Sequence, residues 1–260
     1  MNSEDTTMQE IFFDKIEEIL HKIRETQSES ISTIAKKLSD ILINGGIVYT
    51  FGAGHSHMLS EEIAGRAGGL MQVRAILEPE LTEIQGRGKS TQIERMPGYA
   101  KIVYEANAIR KKDALIVISN SGRNPVPVEM AEEAKKADVL VIALTNLEHS
   151  KSVTSRCPSG KKLYEVCDYV LDNCGVTGDA AIEVRGKPYS IGSTSTVAGA
   201  IILQALVVEI IGILLQKGNE PAILMSGNLD GTDEYNQKIY MQLISKYPEL
   251  LYMLDVWRRM

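Results

Sequence analysis

Apolar positions recur at helical spacing through residues 1–43. Ile16, Ile19, Leu20 and Ile23 mark one stripe, and Ile31, Ile34, Ala35, Leu38, Ile41 and Leu42 mark a second. The pattern predicts two helices, or one helix broken near Ser28. Asn44-Gly45-Gly46 ends it, because glycine reaches the left-handed backbone that closes a helix. From there the pattern changes to short continuous apolar runs at 47–51, 73–77, 114–119, 139–144 and 169–171. Amphipathic stretches alternate with them near 57–69, 98–110, 125–137 and 193–216. Runs such as ALIVIS and VLVIAL suit strands buried on both faces, as in a parallel sheet covered by helices. A doubly wound α/β sandwich is therefore expected. After Gly218, NLDGTDEYN reads as a loop and the rest, to Met260, as helix, with Leu250, Met253, Leu254 and Trp257 as a packing stripe and Arg258 and Arg259 as solvated charge. Nothing in the chain reads as a linker. The expected organisation is a helical segment at 1–43 packed on a core at 44–218, with 219–260 as a C-terminal loop and helix of the same domain.

Composition removes several classes of function. Hydrophobic residues make up 44% and charged residues 24%, and the 21 Gly and 8 Pro are spread along the chain, which excludes a disordered or low-complexity protein. With 28 Lys plus Arg against 34 Asp plus Glu, the net charge of −6 lacks the basic footprint that nucleic acid requires. Cys157, Cys167 and Cys174 form an odd set without CxxC spacing, and the opening MNSEDTTMQE is not a signal peptide, so a reducing cytoplasm is expected. The apolar run at 196–215 is long enough to cross a bilayer. Gln204 and Glu209 lie within it, and a central charge costs about 2.5–3.5 kcal/mol on insertion scales, so a buried helix and no membrane partner are expected.

In an open parallel sheet the ligand lies beyond the carboxyl ends of the strands. The first strand exits as Gly52-Ala53-Gly54-His55-Ser56, where glycines let backbone approach a ligand. The third exits as Ser119-Asn120-Ser121-Gly122-Arg123-Asn124-Pro125, where two hydroxyls flank an amide beside a helix start, a cradle of donors for phosphate. The fourth exits as Thr145-Asn146, and Ser193-Thr194-Ser195-Thr196 heads the long apolar helix, where capping competes with ligand contact. GAGHS also half-matches a dinucleotide fingerprint: Gly52 and Gly54 fit and Glu78 is suitably placed, but the third glycine position holds His57. His55 and His57 read either as helix-start hydrogen bonders or as proton carriers. EPELTEIQGRGKSTQ, residues 78–92, reads as a polar loop, with Glu78 and Glu80 either solvated or part of a lid. Neither His55-x-His57 nor His149 with the cysteines has the paired spacing of a metal site, and no metal or cofactor is expected.

GAGHS after the first strand, ISNSGRNPVPVEMAEEAKKADVLVIALTN across the third and fourth, and STSTVAGAIILQALVVEI near the end resemble the sugar isomerase (SIS) domain family, from about Ile47 to Gly218. Gly178-Asp179-Ala180, 194–197 and 226–234 resemble a bacterial group of SIS proteins related to phosphoheptose isomerases and muramic acid phosphate etherases. The resemblance implies the SIS fold, a flavodoxin-like parallel five-stranded sheet between helices. It also implies a small-molecule phosphosugar ligand and assembly as a homodimer or homotetramer. Ser56, Ser119 and Ser121 inherit the phosphate, with Asn124 in place of a third hydroxyl. The position of a catalytic glutamate in those enzymes falls on Arg66, with Glu62 one turn earlier on the same face. Gln204 matches a family glutamine, while Gly212 stands where a histidine is expected.

Glu62 and His55 are thus the expected catalytic residues, and Gly54, Ser56, Ser119, Asn120, Ser121, Asn124, Thr145, Ser195 and Gln204 the expected phosphate or sugar contacts. The expected function is aldose–ketose isomerisation or a related lyase reaction on a sugar or amino-sugar phosphate. The alternative is a non-enzymatic phosphosugar sensor, since the catalytic pair is not intact, and a dinucleotide enzyme is more distant still.

Overall fold

The structure is a computed structural model that describes residues 6–248 and 250. It opens on one long helix, α1 (Met8–Ile43), started by a capping box in which the Thr7 side chain and Glu10 hold each other's backbone N–H groups. The expected break near Ser28 does not occur. No Gly or Pro interrupts α1, and the Thr26 and Ser28 hydroxyls donate back to the Lys22 and Arg24 carbonyls, so both are satisfied inside the helix. Asn44 caps its end and Gly45, at φ +77, turns the chain into the sheet, as expected.

Five parallel strands follow: β1 (Val48–Gly52), β2 (Val73–Ile76), β3 (Ala114–Ile118), β4 (Leu140–Thr145) and β5 (Tyr169–Asp172). Their order is β2-β1-β3-β4-β5, with Val48 opposite both Val73 and Ala114 and Ala114 opposite Leu140. Side chains alternate between two covered faces. Tyr49, Phe51, Leu115, Val117, Val141 and Ala143 enter the core under α4 (Tyr99–Asn107), α5 (Pro125–Lys136) and α9 (Asp233–Lys246). Val48, Ile116, Ile118, Ile142 and Leu144 enter the other, under α1, α2 (Ser56–Glu62) and α8 (Ser195–Gln216). This is the expected doubly wound, flavodoxin-like α/β fold. The chain leaves β1 to one side and reaches β3 on the other, so the strand order reverses between β1 and β3, where such sheets place their ligands.

Three local expectations change. The helix expected at 57–69 stops at Glu62, because Gly65 and Gly68 adopt φ +64 and +76 and lead the chain into an irregular return to β2. The polar loop at 78–92 folds into two 3-10 turns, Pro79–Leu81 and Glu83–Gln85, and the helix α3 (Arg87–Glu94). Two small helices, α6 (Leu147–Ser152) and α7 (Leu163–Val166), and an antiparallel hairpin, β6 (Ala180–Glu183) with β7 (Ser190–Ser193), complete the chain. The hairpin has no counterpart in the expected strands, because its residues are mostly half-buried or exposed and carry no apolar run.

The helix α8 is long and apolar enough to cross a bilayer by length and composition, but one side of it is spent inside the protein. Ala198, Ile202, Leu203, Leu206 and Ile210 pack into the sheet core, and Glu209 accepts a hydrogen bond from Ser32 of α1. Of the expected C-terminal stripe, Leu250 is buried, while Met253, Leu254, Trp257, Arg258 and Arg259 lie outside the described residues.

Candidate functional site

β1 delivers Gly52 to the carboxyl edge, and the chain turns at once into α2. Ser56 N–H donates to Ala53 O at 3.1 Å and His57 N–H to Gly54 O at 3.3 Å, while Gly54, at φ +56, donates to Leu81 O at 2.8 Å. The turn is close: a Cβ on Gly52 would stand 2.5 Å from the Ser56 carbonyl oxygen. It leaves the Ser56 hydroxyl without a hydrogen-bond partner among the described residues. His57 Nδ1 sits 2.5 Å from Gly54 O, so His57 serves the helix start. His55 is exposed, with Nδ1 3.8 Å from Glu83 Oε1.

β3 delivers the second loop. Ser119 Oγ accepts the Gly122 N–H at 3.2 Å and closes the turn, and Gly122 has φ +57 with Leu163, Ser150 and Thr145 crowded around it. Ser121 is half-buried, and its hydroxyl too lacks a partner among the described residues. Asn120 bridges the sheet edge: its Oδ1 accepts from Asn173 Nδ2 at 2.8 Å and its carbonyl accepts from Asn146 N–H and Thr145 Oγ1. Asn173 Oδ1 in turn accepts from Asn146 Nδ2 at 2.9 Å and from Gly175 N–H. This amide chain ties the exits of β3, β4 and β5 together. Thr145 therefore braces the loop from behind. Asn124 Oδ1 accepts from Arg156 Nη1 at 3.0 Å.

A cleft opens over this edge, lined by His55, Ser56, Asn120, Asn173, Ser195 and Thr196 above a floor of Leu59, Ile118 and Leu144. Its volume of about 20 Å³ suits a water rather than a sugar. A cavity of about 310 Å³ lies at the opposite, amino edge between Leu42, Gln72, Leu214 and Tyr247. There Gln72 Nε2 already donates to Tyr247 and to two carbonyls.

Further along α2, six residues from Ser56 and so about 9 Å along the helix axis, stands Glu62. Its Oε1 accepts from Gln204 Nε2 of α8 at 3.1 Å, and its Oε2 accepts from Arg66 Nη1 at 2.7 Å. The structure thus brings three residues singled out in the sequence, Glu62, Arg66 and Gln204, into one cluster. A carboxylate has about four acceptor positions, so two remain for a reacting proton.

The SIS domain profile matches residues 11–146, more than half of the chain. The chain belongs to the SIS domain family. A UPF0309 protein of Halalkalibacterium halodurans is 46% identical to this SIS chain over 90% of its length and 95% of the relative. Among solved structures, a phosphoheptose isomerase from Francisella tularensis matches with a TM-score of 0.54 and 20% identity, over 82% of this chain and all of that one. The phosphoheptose isomerase of Neisseria gonorrhoeae matches with a TM-score of 0.51 and 18% identity, over 79% of this chain and all of that one. At such identities the likeness is one of fold.

Two residues of the SIS edge escaped sequence reading. Asn173 follows β5 as Ser119 follows β3, so the strand-exit rule pointed to it. Asp179, in a quoted motif but without a role, adopts φ +74 and holds the head of α8. Its Oδ1 accepts Thr194 N–H at 3.0 Å and Ser195 N–H at 2.7 Å, and its Oδ2 accepts the Ser195 hydroxyl at 2.9 Å. Ser195 thus reaches the cleft with its hydroxyl proton already spent on a cap. Asp179→Ala is expected to cost about 1–2 kcal/mol as the loss of a helix cap, lowering the thermal midpoint by roughly 2–8 °C. An unchanged melting curve would show that α8 needs no such cap.

Proposed function

We propose that this SIS chain binds a sugar phosphate at the carboxyl edge of its sheet. The phosphate lies between Ser56 of the first loop and Ser119 and Ser121 of the second, and the sugar runs along α2 toward Glu62. The observation that carries this reading is the pair of unpartnered hydroxyls, Ser56 and Ser121, presented by adjacent strand exits at the point where strand order reverses. A cap requirement explains one such hydroxyl, and here both stand free on glycine-shaped turns. In the first turn of α5 Pro125 and Pro127 have no N–H, so Val126 supplies the backbone donor there for an anion.

The reaction we propose is aldose–ketose isomerisation, with a related lyase reaction as its nearest variant. Glu62 removes the proton alpha to the carbonyl and returns it to the neighbouring carbon. Gln204 has a second amide hydrogen for the carbonyl oxygen, and Arg66 Nη1 holds the other carboxylate oxygen of Glu62 at 2.7 Å. His55, exposed at the cleft rim, is the second choice for a proton carrier. Both Glu62 oxygens already have partners, which favours a second reading: a phosphosugar sensor that binds without conversion. Thermal shift across a panel of sugar phosphates and their free sugars, followed by NMR of each stabilising ligand, separates the two. Conversion supports the isomerase, binding alone supports the sensor, and no phosphate-dependent shift contradicts both.

We read the protein as a cytoplasmic homodimer or homotetramer. Val197, Val208 and Leu215 form an apolar stripe on the outer side of α8 and are 40%, 66% and 52% exposed, an area suited to a second subunit. The same stripe runs beside Gln204, so an assembly through it places the partner next to Glu62.

A further inference from the structure

We infer that Arg123, Arg156 and Arg95 form a second anion subsite beside the phosphate loop, and that the ligand is a phosphosugar carrying a further acidic group, either a carboxylate or a second phosphate. The inference rests on the proposal that Ser56, Ser119 and Ser121 hold the first phosphate, and it narrows the class of ligand.

Arg123 follows Gly122 directly in the loop that carries Ser119 and Ser121. Arg156 is fastened beside it, its N–H donating to Arg123 O at 2.8 Å and its Nη1 to Asn124 Oδ1 at 3.0 Å. Arg95 ends α3, which packs against α5, the helix that follows the loop. Arg156 loses part of its hydration and feels both Arg123 and Arg95, which lowers its pKa. Yet none of the three forms an ion pair with a carboxylate within 4.0 Å among the described residues. Arg123 Nη2 donates only to the Thr154 hydroxyl, at 3.2 Å, and its Nε is buried with no partner. A buried donor without a partner calls for an acceptor.

The nearby acid, Glu94, makes no ion pair with the three within 4.0 Å among the described residues, and burial raises its pKa although Asn124, Arg95 and Arg156 pull the other way. His149 faces Arg123 and accepts the Gly178 N–H on Nδ1 at 2.7 Å, so its neutral ring carries its proton on Nε2, one more donor. His149 also lies near Asp179, which holds Ser195 at the cleft. The donors therefore continue from the cleft around the loop, in a protein whose net charge is −6. Guanidinium groups match carboxylate and phosphate with two parallel hydrogen bonds, which a neutral sugar hydroxyl cannot return.

Calorimetric titration of the full chain with three open-chain ligands tests this: glucitol 6-phosphate, 6-phosphogluconate, which replaces the far hydroxymethyl by a carboxylate, and glucitol 1,6-bisphosphate. The expected result is that one or both doubly acidic ligands bind roughly ten- to a hundredfold tighter than glucitol 6-phosphate, and which one does so names the second group. In Arg156→Gln and Arg123→Gln, with melting curves recorded to show that both fold, the preference is expected to disappear while glucitol 6-phosphate binds as before. Equal binding of all three ligands overturns the second subsite and leaves the phosphate loop standing. A preference that survives both substitutions also overturns it. If no ligand binds, the phosphate reading fails and this inference fails with it.

Discussion

Glu62→Gln is expected to abolish turnover while leaving phosphosugar affinity within about threefold. The substitution keeps the shape of the side chain and a hydrogen bond to Gln204, but it removes the group that accepts the proton. General-base removal costs typically 10²–10⁴-fold in rate, so about that loss is expected in kcat. Glu62 stands about 9 Å along α2 from Ser56 and lies outside the residues that line the cleft, which is why affinity is spared. Stability should barely move, since a partly exposed ion pair such as Glu62 with Arg66 is worth about 0–1 kcal/mol. NMR of a converted sugar phosphate gives the rate, and calorimetry gives the affinity. Full activity in the variant would remove Glu62 as the base and pass the role to His55 or to a residue of a neighbouring subunit.

Gly52→Ala is expected to damage both the fold and binding. The added methyl meets backbone rather than a side chain, at 2.5 Å from Ser56 O and 2.6 Å from Ser56 C, so no rotamer change relieves it. The start of α2 must shift, and the Ser56 hydroxyl shifts with it. Overpacking of this kind costs about 1–3 kcal/mol, equivalent to roughly 2–12 °C in thermal midpoint. Phosphosugar affinity should fall as well, because Ser56 no longer faces the second loop. A stable variant that binds normally would mean that the turn after β1 has room that its geometry denies.

The sheet was legible because its strands are buried on both faces. Ala114–Ile118 is buried at every position, and a run so apolar and so short has few other uses than the centre of a parallel sheet. The carboxyl edge followed from the strand exits, and the serines and glycines there announced the two loops. The extent of α2 was less legible: Leu59 and Ile63 keep helical spacing toward Leu70, while the glycines at 65, 68 and 69 that end the helix stand between them. Ser28 was overread as a break, since a serine that returns its hydroxyl to the carbonyl one turn back sits comfortably inside a helix.

The site divided along the same line. Residues whose role is local, such as Gly52, Gly54 and Ser119, were readable from spacing. Asn173, Asp179 and Arg156 act through partners distant in sequence, Asn120, Ser195 and Asn124, and only the folded chain brings them together. Asn124 shows both. Its place in the loop was readable from spacing, but the Arg156 guanidinium from which its Oδ1 accepts was not.

The most direct test of the account is the affinity of the wild-type chain and of Ser121→Ala for the sugar phosphate that stabilises it most, measured by calorimetry beside the same sugar without phosphate. Ser121 makes no hydrogen bond within the protein among the described residues, so its removal should leave the melting curve of the free protein within about 0.5 kcal/mol, as for other changes away from packing and networks. The account predicts that the wild type binds the phosphate and ignores the free sugar. It also predicts that Ser121→Ala loses about 1.5–3 kcal/mol of affinity, the worth of a hydrogen bond to a charged group. Equal affinity in the two proteins, or equal binding of the sugar with and without its phosphate, would contradict the phosphate site on which the account rests.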